Sequence, residues 1–156
     1  MILITVGTQL PFDRLVKALD EMAPNISVPM FAQIGKGEYK PSNLEWVETI
    51  APLEMDGVFA RTSLIVSHAG TGTVLAAKRF KKPIILFPRR AAFGEHRNDH
   101  QLATAGQLDG RPGIRVAYTE AQLGELIAQP PAEMTEAGTA AAPAAKLVDY
   151  LRSVIG

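Results

Sequence analysis

Short, almost uniformly apolar runs alternate along this chain with segments whose apolar residues recur every three or four positions. The recurring spacing predicts amphipathic helices, and the apolar runs predict strands at residues 2–6, 28–34, 44–50, 64–67, 84–87 and 114–118. Strands that are apolar throughout are typical of a parallel sheet with helices on both faces, because both sides of each strand are then buried. The pattern therefore predicts an α/β fold with a parallel sheet.

The predicted helices follow the strands. Pro11 opens the first helix, and apolar residues from Phe12 onwards lie at the i, i+3, i+4 and i+7 spacing of one helical face. Thr119 is expected to cap the last helix of this pattern, with Gln122 at the capping-box position. The helices between these two are expected at residues 52–59, 71–80 and 98–108.

The chain divides into three predicted segments. Residues 1–129 hold the alternating pattern and form the predicted domain. Residues 130–143 are rich in Pro, Ala, Glu and Thr, which is typical of a tether. Residues 144–156 predict a C-terminal helix with one broad apolar stripe, which either packs back on its own sheet or docks a partner chain.

The composition limits the classes of function. A chain of 156 residues suffices for one domain, and its formal net charge of zero argues against a surface that coats nucleic acid. The lack of cysteine excludes disulfides and thiolate metal sites, and is compatible with a reducing compartment. The apolar start is expected to be a strand rather than a signal peptide, and no apolar run is long enough to span a bilayer.

Polar residues gather after several strands, where a parallel sheet binds its ligands. The segment 63–103 contains all three histidines and the small-residue turn from Ser67 to Thr73. Small residues let the backbone approach a ligand, and a helix that starts there supplies free N–H groups for a phosphate. Together with the loops 7–9 and 89–101, this turn predicts a site beyond the carboxyl ends of the strands.

The side chains of these loops suit a phosphorylated sugar. The hydroxyls of Thr71 and Thr73 add donors for a phosphate. Its charge can be neutralised by Arg89, Arg90, His96 and Arg97. Sugar hydroxyls need mixed donors and acceptors, which are offered by Asn98, His100 and Gln101.

Structural explanations compete with these functional ones. Gly70 and Gly72 could serve only a tight turn from strand to helix. His68 could be a buried histidine that is hydrogen-bonded to backbone. Arg89 and Arg90 could be a solvated surface pair.

Other chemistries have weaker support in the sequence. His96 and His100 have the i, i+4 spacing of a metal site on a helix, but no carboxylate motif accompanies them, so no metal is expected. The sequence contains no GxxxxGK(S/T) phosphate loop, no three-glycine dinucleotide fingerprint and no GxSxG nucleophile elbow. Nucleophilic and redox chemistry are therefore disfavoured.

Three stretches together carry a resemblance to a family: TVGTQLPFDRLVKALDE, SHAGTGT and PRRAAFGEHRNDHQLATA. Over residues 1–105 they resemble the C-terminal, donor-binding half of family 28 GT-B glycosyltransferases. The likeness is closest to short stand-alone members. These include the catalytic subunit of two-part dolichol-linked N-acetylglucosaminyltransferases and its bacterial counterparts in exopolysaccharide synthesis. The resemblance implies a single Rossmann-like domain, which is one half of a GT-B fold.

The resemblance also implies a UDP-sugar as co-substrate, with no other cofactor. Residues 68–73 would lie near the diphosphate, and the backbone of Ile50 near the uracil. Ala76 stands where many relatives have an acidic residue that binds ribose, so either other groups hold the ribose or donor binding alone is weak. His68 is the catalytic candidate. The candidate substrate-binding residues are Gly7, Thr8, Gln9, Ile50, His68, Gly70, Thr71, Gly72, Thr73, Arg89, Glu95, His96, Asn98, His100 and Gln101.

The function implied by the resemblance is the donor-binding subunit of an inverting glycosyltransferase. It would act on a lipid-linked acceptor in surface polysaccharide synthesis. A membrane-anchored partner subunit would supply the other lobe, which places the protein in the cytoplasm at the inner face of the plasma membrane. Two alternatives stay open: a non-catalytic nucleotide-binding or regulatory module, and a small enzyme on a phosphorylated metabolite with His68 or His96 as a base.

Overall fold

The computed structural model describes residues 1–8 and 10–131 of the chain. The predictions for Gln9, for most of the tether and for the C-terminal helix fall outside the described residues and stay predictions. No helix among the described residues is long and apolar enough to cross a membrane.

The described residues form one parallel sheet with helices between its strands. The strands are β1 (Ile2–Thr5), β2 (Met30–Gln33), β3 (Glu45–Val47), β4 (Leu64–Ser67), β5 (Ile84–Leu86) and β6 (Ile114–Val116). The helices are α1 (Asp13–Met22), α2 (Pro52–Arg61), α3 (Thr71–Arg79), α4 (His100–Leu108) and α5 (Glu120–Ala128). Short 3₁₀ turns occur at Ala23–Asn25 and Ala91–Phe93. The predicted α/β fold with a parallel sheet is confirmed.

The strand order is β3-β2-β1-β4-β5-β6, with every pair parallel. The chain builds outwards from β1 to one edge, then returns to start β4 on the other side of β1. In the register, Thr5 of β1 pairs with Ser67 of β4. The loops after these two strands therefore leave the sheet side by side, at the point where open sheets of this order bind ligands.

Each face of the sheet is covered by its own apolar cluster. Ile4 and Val66 face α1 and α5 in one cluster. Leu3 and Ile65, one residue earlier on the same two strands, face α2, α3 and α4 in the other cluster. Because alternate residues of a strand point to opposite faces, two covered faces require strands that are apolar throughout.

The strands are shorter than the apolar runs that predicted them. Val6 and Phe87 lie just beyond the ends of β1 and β5 and are fully buried. The Val6 N–H still donates to the Gln33 carbonyl at 3.3 Å, and the Phe87 N–H to the Ser67 carbonyl at 2.7 Å. An apolar run therefore indicates which residues are buried, and burial continues for a residue or two beyond the regular hydrogen bonds between the strands.

Two helices begin later than predicted, and one predicted cap is present. The first helix begins at Asp13 rather than at Pro11, and α4 begins at His100 rather than at Asn98. Asn98 stays outside α4 while its side-chain oxygen accepts the His100 N–H at 3.0 Å. The predicted cap of α5 is confirmed, because Thr119 Oγ1 accepts the Gln122 N–H at 3.2 Å.

A buried carboxylate ties α1 to the segment between β2 and β3. Asp20 accepts hydrogen bonds from the Tyr39 hydroxyl at 2.6 Å and from the backbone N–H groups of Ser42 and Asn43. Burial opposes the ionisation of Asp20, but these donors outweigh it and lower its pKa. The same carboxylate raises the pKa of Tyr39 to about 12. Asp20 therefore acts as a charged anchor between α1 and this segment.

We expect Asp20→Asn to destabilise the protein by about 1–3 kcal/mol, because an amide offers one acceptor atom where three donors converge. Urea unfolding at neutral pH measures the change. Tyr39→Phe removes one donor and leaves the two backbone contacts, so it should destabilise the protein less than Asp20→Asn does. Equal stability of Asp20→Asn and the wild-type protein would show that the anchor contributes nothing.

Candidate functional site

A cleft of about 460 Å³ opens at the carboxyl edge of the sheet, beside the junction of β1 and β4. Its walls come from the loops after β1, β4 and β5 and from α2 and α3. Most of the predicted site residues line it: Gly7, Thr8, Ile50, His68, Gly70, Thr71, Gly72, Thr73, Arg89, His96 and Gln101. The structure thus brings together groups from four separate parts of the sequence.

Three predicted residues do not line the cleft. Glu95 pairs through both carboxylate oxygens with Arg14, at 2.7 and 2.9 Å, and accepts the Arg90 N–H. Asn98 is engaged in the turn before α4, and His100 is exposed in its first turn. Glu95 and Asn98 hold the loop after β5 in place through bonds to α1 and within the loop, whereas His100 contributes its backbone N–H.

His96 and His100 do not share a helical face, since α4 begins only at His100. No group of three His, Cys, Asp or Glu side chains that could hold a metal ion occurs within residues 1–8 and 10–131.

The amino end of α3 forms one wall of the cleft. Gly70 is its N-cap residue and has no side chain to bond the first N–H groups, and the first turn carries no acidic residue. The N–H groups of a first helical turn have no partner within the helix, and the helix dipole adds positive potential there. Thr71 and Thr73 bring hydroxyls to the same wall. The arrangement suits an anion.

The glycines of this region serve different purposes. A Cβ on Gly70 would overlap the His68 ring, and a Cβ on Gly7 would lie 2.7 Å from His68 Nε2. Gly7 also has a φ of +81°, which L side chains rarely adopt. Gly72 has nothing within 4 Å of its Cβ position and faces the cleft. Gly7 and Gly70 thus make room for a histidine, whereas Gly72 leaves space for a ligand.

His68 sits at the centre of a polar network. Its Nδ1 lies 3.0 Å from Arg89 Nη1 and 3.2 Å from Gln101 Nε2, and not against backbone as the structural alternative assumed. Burial lowers the pKa of His68 to about 3, and electrostatic interaction with Arg89 and His96 acts in the same direction. The ring is therefore neutral at pH 7.

Arg89 is buried rather than solvated. Its Nη2 donates to the Val6 carbonyl at 2.6 Å and to the Leu10 carbonyl at 2.5 Å, and its guanidinium lies over the Phe12 ring. Burial lowers its pKa to about 10, while Glu95 partly opposes the shift, so the group stays charged at pH 7. Arg90 is partly buried and donates from Nη2 to the Tyr118 carbonyl at 3.0 Å. The surface-pair alternative is wrong.

Several cleft residues were missed by sequence reasoning. Met55 and Phe59 of α2, with Thr49 and Leu10, add apolar and hydroxyl surface to the cleft. Met55 and Phe59 stand four apart on one helix, which is a signal for a shared face. Nothing in that spacing distinguishes a face that packs on the sheet from one that lines a cleft.

The pKa of His68 makes stability depend on pH. Between pH 6.5, its ordinary value, and about 3, the unfolded chain binds a proton that the folded protein does not. Stability is therefore lost as the pH falls through this window. Carboxylates titrate in both the wild-type protein and His68→Asn, so the difference between their free energies of unfolding isolates the histidine. We expect the stability of the wild-type protein relative to His68→Asn to fall by about 1 kcal/mol for each pH unit below 6.5. Urea unfolding at pH 7 and pH 5 measures it. A pH-independent difference would contradict the shifted pKa.

Comparisons with known proteins agree with this architecture. The model of the glycosyltransferase family 28 C-terminal domain matches residues 1–148. UDP-N-acetylglucosamine transferase subunit ALG13 of Yarrowia lipolytica is 29% identical over 122 residues, which are 69% of this chain and 60% of that protein. The chain thus spans less than two thirds of the length of this relative.

Solved structures show the same fold. An NMR structure of ALG13 has a TM-score of 0.64 at 15% identity and covers 99% of this chain and 96% of that one. The crystal structure of the glycotransferase of kitacinnamycin has a TM-score of 0.61 at 21% identity and covers 98% of this chain and 38% of that one. The Rossmann-like domain implied by the resemblance is confirmed. Because the family model matches most of the sequence, the chain belongs to the glycosyltransferase family 28 C-terminal domain family.

Proposed function

We propose that this chain is the donor-binding subunit of an inverting glycosyltransferase that uses a UDP-sugar. The observation that carries the proposal is the amino end of α3, open at Gly72 and free of acidic side chains, in a cleft at the β1–β4 junction. Positive helix ends at such junctions bind the phosphates of nucleotides. Membership of the family makes a nucleotide-sugar the expected ligand.

The chemistry of the cleft suggests how the donor lies. The diphosphate would contact the first turn of α3, next to Gly7 and His68. The nucleobase would pack on the apolar surface of Ile50, Met55 and Phe59, which is typical of the mainly apolar lining of ligand pockets. His96, in the loop after β5, and Gln101 of α4 line the cleft and would approach the sugar. Ala76 lines the cleft without a charge, so ribose would be held by hydroxyl or backbone groups.

The contribution of this chain to the reaction would be electrostatic. In an inverting transfer the acceptor oxygen attacks the anomeric carbon from one side while UDP leaves from the other. Negative charge grows on the diphosphate as that bond breaks, and preorganised N–H donors stabilise it. Burial holds the pKa of His68 at about 3, which makes the ring a weak general base near pH 7. The acceptor proton would pass to a base on a second lobe.

A partner subunit would supply that lobe. The name of the ALG13 relative describes it as a subunit of a UDP-N-acetylglucosamine transferase. Leu10 and Phe93 expose 42% and 60% of their surface in the loops after β1 and β5, at the same edge of the sheet as the cleft. A membrane-anchored partner would bring the chain to a lipid-linked acceptor at the cytoplasmic face of the plasma membrane. Surface polysaccharide, such as exopolysaccharide, would be the product.

We expect Gly72→Asp to weaken UDP binding by about tenfold or more, because its carboxylate would repel the diphosphate across the first turn of α3. Calorimetric titration with UDP measures the change. The matched control is Gly72→Asn, which has the same shape without the charge and should bind nearly as the wild-type protein does.

Neither substitution should lower the melting temperature, since the Cβ meets nothing and both side chains suit a helix start. Equal affinity of the Asp and Asn variants for UDP would remove the diphosphate from this turn.

We also expect sugar transfer to require a second protein. The purified chain with UDP-sugars and a lipid-linked acceptor should show no turnover, and adding a membrane-anchored second-lobe subunit should restore it. Robust transfer by the isolated chain would contradict the proposed division into subunits. UDP binding with no transfer in the presence of the partner would instead favour a non-catalytic nucleotide-binding or regulatory module.

A further inference from the structure

We infer that Arg89 and Gln101 are positioning residues that hold His68 in its Nε2–H tautomer and thereby make it a fixed hydrogen-bond donor to the ligand. Only the identity of that ligand rests on the proposed function. The tautomer is a property of the free protein.

The proton pattern follows from the partners of Nδ1. A guanidinium has donors and no acceptor, so Arg89 Nη1 at 3.0 Å requires a lone pair on Nδ1. Gln101 can offer either its oxygen or its nitrogen, and its oxygen is already used, because Oε1 accepts the Arg89 N–H at 3.0 Å. Its NH₂ therefore contacts Nδ1, at 3.2 Å. In a flipped amide, the NH₂ group of Gln101 would face the backbone N–H of Arg89, and two donors cannot form a hydrogen bond.

A neutral imidazole carries one proton, so an unprotonated Nδ1 places it on Nε2. This atom lies between the loops after β1 and β4, since Cβ atoms built on Gly7 and Gly70 would stand 2.7 and 2.6 Å from it. Both loops line the cleft. The N–H is thus available where an anion would approach the first turn of α3.

Arg89 acts on this donor through its hydrogen bond to Nδ1. Its guanidinium is buried and bonds to Nδ1, so it polarises the imidazole towards a stronger Nε2–H donor. Burial of the ring is the main reason why the pKa of His68 is low, at about 3, and repulsion from Arg89 and His96 adds to it, because protonation would put a second cation beside Arg89. The network therefore gives positive character at the cleft while the histidine itself remains neutral.

The test is ¹⁵N NMR of the free full chain, labelled at histidine, at pH 7. His68→Asn identifies the His68 signals by their loss. We expect Nδ1 to give the shift of an unprotonated nitrogen and Nε2 that of a protonated one. This wild-type measurement decides the tautomer even if a variant fails to fold.

The role of Gln101 is tested by reversing its hydrogen-bond polarity. In Gln101→Glu, one carboxylate oxygen can still accept a hydrogen bond from the Arg89 N–H. The other oxygen can accept a hydrogen bond from a protonated Nδ1. Nδ1 should then become protonated. Gln101→Met is the matched control, because it removes the amide without offering an acceptor and leaves Arg89 to hold Nδ1 unprotonated.

UDP titration of the same samples separates the two proposals. We expect Gln101→Glu to bind UDP about tenfold more weakly than Gln101→Met, a difference of about 1.4 kcal/mol. A protonated Nδ1 in the wild-type protein would overturn the inference, and an unchanged ring in folded Gln101→Glu would contradict the role assigned to Gln101. A protonated Nδ1 in Gln101→Met would contradict the role assigned to Arg89, which is to keep Nδ1 unprotonated. An Nε2–H ring in a protein that does not bind UDP would instead overturn the proposed function.

Discussion

The site depends on a buried positive charge. Arg89 lies after the end of β5, and its Nη2 donates to the carbonyls of Val6 and Leu10 after β1. Its Nη1 bonds to His68, which follows β4. A guanidinium in the interior must be satisfied by such acceptors, since burying it unpaired would cost several kcal/mol. Three loops are thereby fixed to one group. The small residues Gly7 and Gly70 follow from this arrangement, because the histidine in the network needs the space that a Cβ would fill.

A second polar network supports the first from outside the cleft. Arg14 of α1 pairs with Glu95 and Glu120, and its guanidinium lies 4.4 Å from the Phe87 ring centroid and 4.8 Å from that of Phe93. Burial opposes its charge, but the two carboxylates outweigh it and raise the pKa of Arg14. This ion pair holds the loop that carries His96 and leads to Gln101. Residues that contact no ligand in the proposed arrangement thus determine where the cleft residues stand.

The fold was largely predictable because burial leaves a local trace. Each of the six strands appears near its apolar run, and Thr119 caps α5 as its spacing indicated. The site was predictable only in part. The glycine turn and His68 line the cleft, whereas Glu95, a candidate for substrate binding, bonds to Arg14. Its partner lies 81 positions away, and no local pattern in the chain connects the two.

The sequence by itself determined the alternation of strands and helices, the parallel sheet and the turn that opens α3. These properties depend on residues close together in the chain, whose spacing decides which face is buried and where a helix begins. The tertiary structure alone decided which polar residues face the cleft and which serve as its supports. Arg89 meets the Val6 carbonyl across 83 positions, and His68 meets Gln101 across 33. Hydrogen bonds act over about 3 Å in space, so their partners are set by how the strands pair and not by distance along the chain.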